Sequence, residues 1–256
     1  MSNLECFQFS YGSDNYGVLV HDAQSGQTAC IDAGDANATL DALSGKGWTL
    51  SHLLITHHHA DHTAGLQAVK SATSCHVIGP VERSKPIAGI DEYIDDGNTF
   101  DFAGRTVTAL HTPGHTADMI NFYFAQDKLV FTGDTLFSMG CGRLFEGDAA
   151  MMLASMNKLR NLPDETLIYC AHEYTATNAR FAADVDPDNQ ELERRVSEVE
   201  RLRNENKPTV PVLMSLEKKT NPFLRVGDAG IRRVLGMSDA DNVVVFAELR
   251  NRRNGY

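Results

Sequence analysis

Residues 1–172 are expected to form a layered α/β domain, and residues 173–256 a small all-α domain. Up to residue 172, short apolar runs alternate with Gly- and Asp-rich turns and helical stretches, the pattern of sheets covered by helices. Beyond it, apolar positions recur mainly at helical spacing. Several strand-like runs also end directly before a His or Asp, which suits a site built along strand ends.

In order, 16–20 and 29–32 read as strands, the second stopping at Gly34. Residues 36–46 read as helix, 51–55 as a buried strand, and 63–70 as helix again. Strand signals follow at 75–78, 106–111, 121–124 and 128–131, then a helix at 149–159 ended near Pro163, and a last strand at 166–170. In the second part, 173–183 reads as helix. Asp188 to Glu191 resembles a capping box before Leu192, Val196, Val199 and Leu202, with Glu191 and Arg195 spaced as an i,i+4 pair and Pro208 and Pro211 closing the element. Two more helices are expected at 228–235 and 238–253, although Val243 to Phe246 also suits a strand.

The chain has 256 residues, enough for a sizeable core, with no apolar run long enough to span a bilayer and no signal-peptide pattern at Met1 to Glu5. Its five cysteines, Cys6, Cys30, Cys75, Cys141 and Cys170, are odd in number and scattered, which fits a reducing cytoplasm rather than a disulfide framework. A formal net charge of −11 speaks against nucleic acid as a partner. The tail from Arg250 to Tyr256 departs from that acidity, with Arg250, Arg252 and Arg253 and no acid; taken alone it reads as a solvated helix end.

The chemistry concentrates in Thr56-His57-His58-His59-Ala60-Asp61-His62, an H-x-H-x-D-H pattern just after a buried strand. Imidazole and carboxylate suit zinc, iron or manganese alike. His115 in Pro113-Gly114-His115, Asp134 in Gly133-Asp134-Thr135 and His172 after 166–170 supply further donors at strand ends. Together His57, His59, Asp61, His62, His115, Asp134 and His172 are enough for two metals with room for solvent. A closed structural site would use four ligands per metal, so this set favours catalysis. His58 alternates away from its neighbours and is expected to face the protein, His111 to be a supporting or packed residue, and Cys141 to be structural; His21, His52 and His76 carry no signal. No Gly-rich phosphate loop is present.

This succession of motifs resembles the metallo-β-lactamase superfamily. The resemblance implies an αββα sandwich with metals at one edge: one held by His57, His59 and His115, a second by Asp61, His62 and His172, with Asp134 bridging. Gly133 to Phe137, Gly140 to Gly147, Ala171 to Thr175 and Asn221 to Arg225 narrow it, being similar to the glyoxalase II (hydroxyacylglutathione hydrolase) family across essentially the whole chain. That resemblance implies hydrolysis of S-D-lactoylglutathione to D-lactate and glutathione, the second step of methylglyoxal detoxification. The nucleophile would be a hydroxide held between two divalent ions, zinc most readily, with Asp61 and Asp134 among the ligands that hold it. It further implies glutathione contacts at Arg143, Tyr174, Arg250 and Arg253, consistent with Arg forks binding carboxylates. Phe145 stands where some relatives carry Tyr and cannot donate a side-chain hydrogen bond. A cytoplasmic monomer with a small-molecule substrate, and neither nucleic acid nor membrane as partner, is expected. Three rival readings are a glutathione persulfide (sulfur) dioxygenase, an RNA-processing nuclease and a non-catalytic metal protein. Each fits the full ligand set, the helical segment or the negative charge less well.

Overall fold

A computed structural model describes residues 4–256, which divide into two compact units: 4–111 with 116–133, and 112–115 with 134–256. The units divide after residues 111, 115 and 133, not at residue 172 where the sequence pattern changes.

In the first unit, a six-stranded sheet has the order β1 (Leu4–Tyr11), β2 (Asn15–Asp22), β3 (Thr28–Ile31), β4 (His52–Leu54), β5 (His76–Pro80) and β6 (Glu92–Ile94). The first three strands are antiparallel and the last four parallel, so β4 pairs in register with β3 and β5 (Leu53 with Cys30 and Val77). Strands covered on both faces need continuous apolar sequence, which β3 and β4 have. Helices α1 (Ala36–Lys46) and α3 (Leu66–Thr73) pack Leu43, Leu66 and Val69 against Leu19, Leu53 and Val77. Between them, α2 (Ala60–Thr63) is a single turn. The helix expected at 63–70 is interrupted because Gly65 donates its N–H to Ala33 O at 2.7 Å. A Cβ on Gly65 would lie 2.5 Å from Ala36 N, so only glycine permits that approach.

The same unit holds an antiparallel meander of β7 (Thr99–Phe102), β8 (Arg105–His111), β9 (Ile120–Phe124) and β10 (Leu129–Gly133). Phe102, Phe122, Phe124 and Phe131 are fully buried there, and the His52 ring of the first sheet meets Phe102 edge-on at 5.4 Å. β1 and β7 are partly exposed edge strands without a sustained apolar signal, so the sequence pattern does not mark them.

The second unit contains the hairpin β11 (Leu136–Phe137) and β12 (Gly140–Cys141), helix α4 (Ala149–Arg160), and the antiparallel pair β13 (Leu167–Cys170) and β14 (Val212–Leu213). Helices α5 (Thr175–Val185), α6 (Gln190–Asn204), α7 (Met214–Thr220), α8 (Ala229–Leu235) and α9 (Asn242–Arg253) follow, with a 3-10 turn at Pro222–Leu224. Residues 173–256 are therefore not purely helical, since β14 pairs with β13. At α6, Asn189 is the cap, its side chain accepting from the N–H groups of Glu191 and Leu192, and no reciprocal box forms. Glu191 pairs with Arg194 rather than Arg195, because Arg195 is turned inward and buried. Val243 to Phe246 is helical: Asp241 caps the N–H of Val243, and Val245, Phe246 and Leu249 share the buried face. That helix starts at Asn242, four residues later than expected.

Candidate metal centre

In the first unit, the chain leaves β4 still fully buried through Ile55 and Thr56 and enters the histidine motif. His57 and His62 have no exposed surface, while Asp61 faces outward. The His57 ring lies 4.7 Å from that of His59 and 4.1 Å from that of His62, and Asp61 Oδ2 is 3.5 Å from His62 Nε2. Asp61 is fixed by Asn15 Nδ2, which donates to its Oδ2 at 3.1 Å, and by Tyr11, whose hydroxyl donates to its carbonyl at 2.9 Å. Gly34 makes room: a Cβ there would fall 1.8 Å from Asp61 O.

One buried carboxylate orients this cluster. Asp32, in a left-handed conformation (φ 58°) just past β3, accepts from Thr56 N at 2.8 Å, from Thr56 Oγ1 at 2.9 Å and from His62 Nδ1 at 2.8 Å. Thr56 Oγ1 spends its proton on Asp32, so it accepts from His57 Nδ1 at 3.0 Å. Both imidazoles thus carry their proton on Nδ1 and keep the Nε2 lone pair for a ligand. In the sequence Asp32 looks like an ordinary strand-end residue and carries no signal of this role. His58 turns away, as expected, with Nδ1 3.0 Å from Asp118. His111 Nε2 sits 2.8 Å from Ala117 O, a packed supporting residue.

In the second unit, Gly114 adopts φ 143°, a conformation open to glycine, and turns His115 inward. His115 Nδ1 donates to Arg143 O at 2.9 Å. Its Nε2 is 3.3 Å from Asp134 Oδ2, and His172 Nε2 is 3.3 Å from Asp134 Oδ1. Asp134 therefore lies between two imidazoles, all three groups being buried. The approach is tight: a Cβ on Gly142 would lie 2.0 Å from Asp134 O. Because a carbonyl only accepts, His115 Nδ1 holds the proton, and Nε2 presents a lone pair to a carboxylate unless positive charge sits there. A divalent cation meets that demand, and imidazole with carboxylate is a donor set suited to one.

The expected glutathione residues all belong to this unit. Arg143 is exposed and lines, with Phe145, Met237, Val244 and the buried Arg250, an open groove of about 640 Å³. Tyr174 stacks flat on His172 at 4.8 Å and 4°. Arg253 is half-buried, its Nε donating to Asn178 Oδ1 at 2.9 Å. Burial first, then the nearby Arg250 and Arg143, bring its pKa down to about 10. Arg250 is no solvated helix end: its Nη1 donates to Cys141 O at 2.6 Å and its buried Nε has no hydrogen-bond partner. Phe145 packs its ring against His115 at 5.2 Å, a role that needs no hydroxyl. Cys141 is buried and its thiol is pushed up to about 11 by that burial, in keeping with a structural residue.

Residues 13–172 match the family model described as "Metallo-beta-lactamase superfamily", and residues 173–256 the one described as "Hydroxyacylglutathione hydrolase C-terminus". A solved structure of ETHE1 from Myxococcus xanthus superposes with a TM-score of 0.66 at 24% identity, covering 99% of each chain. The chain belongs to the metallo-β-lactamase superfamily and has its αββα fold, followed by the C-terminal helical segment. Proteins named hydroxyacylglutathione hydrolase from Rhizobium etli and Rhizobium meliloti are 50% and 48% identical over 256 residues, the whole of each chain. Within the superfamily, the chain belongs to the hydroxyacylglutathione hydrolases.

Proposed function

We propose that the protein hydrolyses S-2-hydroxyacylglutathione thioesters, S-D-lactoylglutathione above all, to the hydroxy acid and glutathione. The observation that carries this reading is the 50% identity to a hydroxyacylglutathione hydrolase over the full chain. We assign His57, His59 and His115 to one ion, Asp61, His62 and His172 to a second, and Asp134 to both, zinc being the first choice for each. When bound, such ions supply Lewis acidity that lowers the pKa of water and polarises the thioester carbonyl.

The chain's own groups do the rest. Asp32 and Thr56 hold His57 and His62 in the tautomer that presents Nε2. Asp61 and Asp134 are spent as ligands, so neither is free as a general acid; a thiolate is a good enough leaving group to depart without one. Arg143, Arg250 and Arg253 crowd positive charge at one place, and two glutathione carboxylates would relieve it. Tyr174, flat against His172, forms a wall for the substrate. A monomer in a reducing cytoplasm completes the reading, the compartment being suggested by five cysteines that are odd in number and scattered in the sequence. The test is a thioester assay with elemental analysis of the purified protein. Turnover of S-D-lactoylglutathione that stops on chelation and returns with metal is expected. Absence of turnover in metal-loaded protein would overturn the reading.

A further inference from the structure

A buried polar network in the second unit has no part in the chemistry above, yet it reaches both metal-bearing loops of that unit. Its centre is Glu217 on α7, which has no exposed surface. Glu217 Oε1 accepts from Ser138 Oγ at 2.8 Å; Oε2 accepts from Met139 N at 2.8 Å and Asn221 Nδ2 at 3.0 Å. Ser138 and Met139 are the turn of the β11–β12 hairpin, which starts two residues after Asp134. Met139 has φ 53°, a left-handed conformation that a side chain disfavours, and the Glu217 carboxylate holds its N–H. Asn221 Nδ2 also donates to Phe137 O and Gly140 O, so the turn is held from α7 and its C-cap.

Arg195 extends the network to the other loop. Its guanidinium is buried on α6, with Nη2 3.5 Å from Ser138 Oγ and donating to Thr209 O at 2.7 Å. Thr209 gives its N–H and its hydroxyl to the carboxylate of Glu173 at 2.8 and 2.7 Å. Glu173 directly follows His172. A continuous path thus runs from the hairpin after Asp134, through Glu217, Ser138, Arg195 and Thr209, to the residue after His172. Two opposite charges in a core are costly to maintain, and an apolar filling is often as stable. Burial pushes the Glu217 carboxyl up, and Met139, Ser138, Asn221 and Arg195 pull it back.

We propose that Glu217 and Arg195 are positioning residues, which set the spacing of Asp134 and His172 and so the grip on the metal. The inference rests on the metal assignment above, and it goes beyond it by placing control of the site in a pair that touches neither metal nor substrate. The test compares Glu217→Gln, Glu217→Ala and Ser138→Ala with Ile231→Ala, a buried α8 position outside the network, as a control for lost stability. Zinc affinity is read by competition with a chromophoric chelator, without substrate; kcat and KM are read separately with S-D-lactoylglutathione, and melting temperature alongside. Glu217→Gln and Ser138→Ala should weaken zinc binding about 10- to 100-fold and lower kcat, with KM changed by less than about threefold. Glu217→Ala should do more, and Ile231→Ala should melt earlier yet hold zinc as the wild type does. Should Glu217→Ala fail to fold, Ser138→Ala carries the same comparison. Wild-type zinc affinity and kcat in both Glu217→Gln and Ser138→Ala would overturn the proposal, as would an equal loss of zinc in Ile231→Ala. If wild-type protein binds zinc but leaves the thioester intact, the proposed substrate is wrong and the zinc comparison still decides the role of the network.

Discussion

At the scale of single residues, the donor atoms and the groups that aim them are separable. Replacing Asp134 by Ala should remove metal and activity together, because His115 and His172 both face that carboxylate. Metal analysis beside the assay checks it, and a variant with wild-type turnover contradicts it. Asp32→Asn is expected to weaken metal binding by about 10- to 100-fold, as loss of a supporting carboxylate does elsewhere, since His62 Nδ1 and Thr56 would lose their acceptor. Chelator titration reads the change; unaltered affinity would show that the tautomer is fixed in another way. The buried thiols should be silent: burial pushes Cys170 up to about 12 and Cys141 up to about 11, so at pH 8 almost no thiolate exists at either. Iodoacetamide at that pH is expected to leave hydrolysis intact, whereas inactivation tracking alkylation of either thiol would point to a covalent route. All seven proposed donors are legible as residue types at or just after strand ends. Asp32 was not, because nothing local distinguishes a carboxylate that ends a strand from one that reaches a histidine thirty positions on.

At the scale of elements, the Arg-rich end of α9 does two things at once. Arg250 holds Cys141 O on the β11–β12 hairpin, and Arg253 holds Asn178 on α5, so each guanidinium has internal work besides any ligand. Arg143 has none of this burial. Arg143→Ala is therefore expected to raise KM for S-D-lactoylglutathione about tenfold, with kcat and metal content unchanged, from loss of one charge-assisted contact. Arg250→Ala should disturb KM and kcat together. An Arg143→Ala enzyme with wild-type KM would remove that residue from the substrate site. The helices themselves were largely legible, because caps such as Asp241 and Asn189 and the apolar spacing are local signals. The misreadings arose where tertiary contacts decide: Gly65 breaks a helix by touching Ala33, and Arg195 leaves its expected partner for a buried site.

At the scale of the whole molecule, the residues proposed as donors belong to both compact units: His57, His59, Asp61 and His62 lie in one, His115, Asp134 and His172 in the other. The change of sequence character at residue 172 marks where the two family models meet, whereas the compact units divide after residues 111, 115 and 133. That distinction was not visible in the sequence, because hydrophobic periodicity reports elements and not which element packs on which. The formal charge of −11 makes the cluster of Arg143, Arg250 and Arg253 a local exception, which is how an acidic protein would draw an anionic thioester to one place. The most direct test of the central claim is hydrolysis of S-D-lactoylglutathione by metal-free protein as zinc is added back in measured equivalents. Activity should be absent at zero, incomplete at one and full at two per chain. Hydrolysis that survives complete removal of metal, or that is already maximal at a single equivalent, would contradict a two-metal thioesterase.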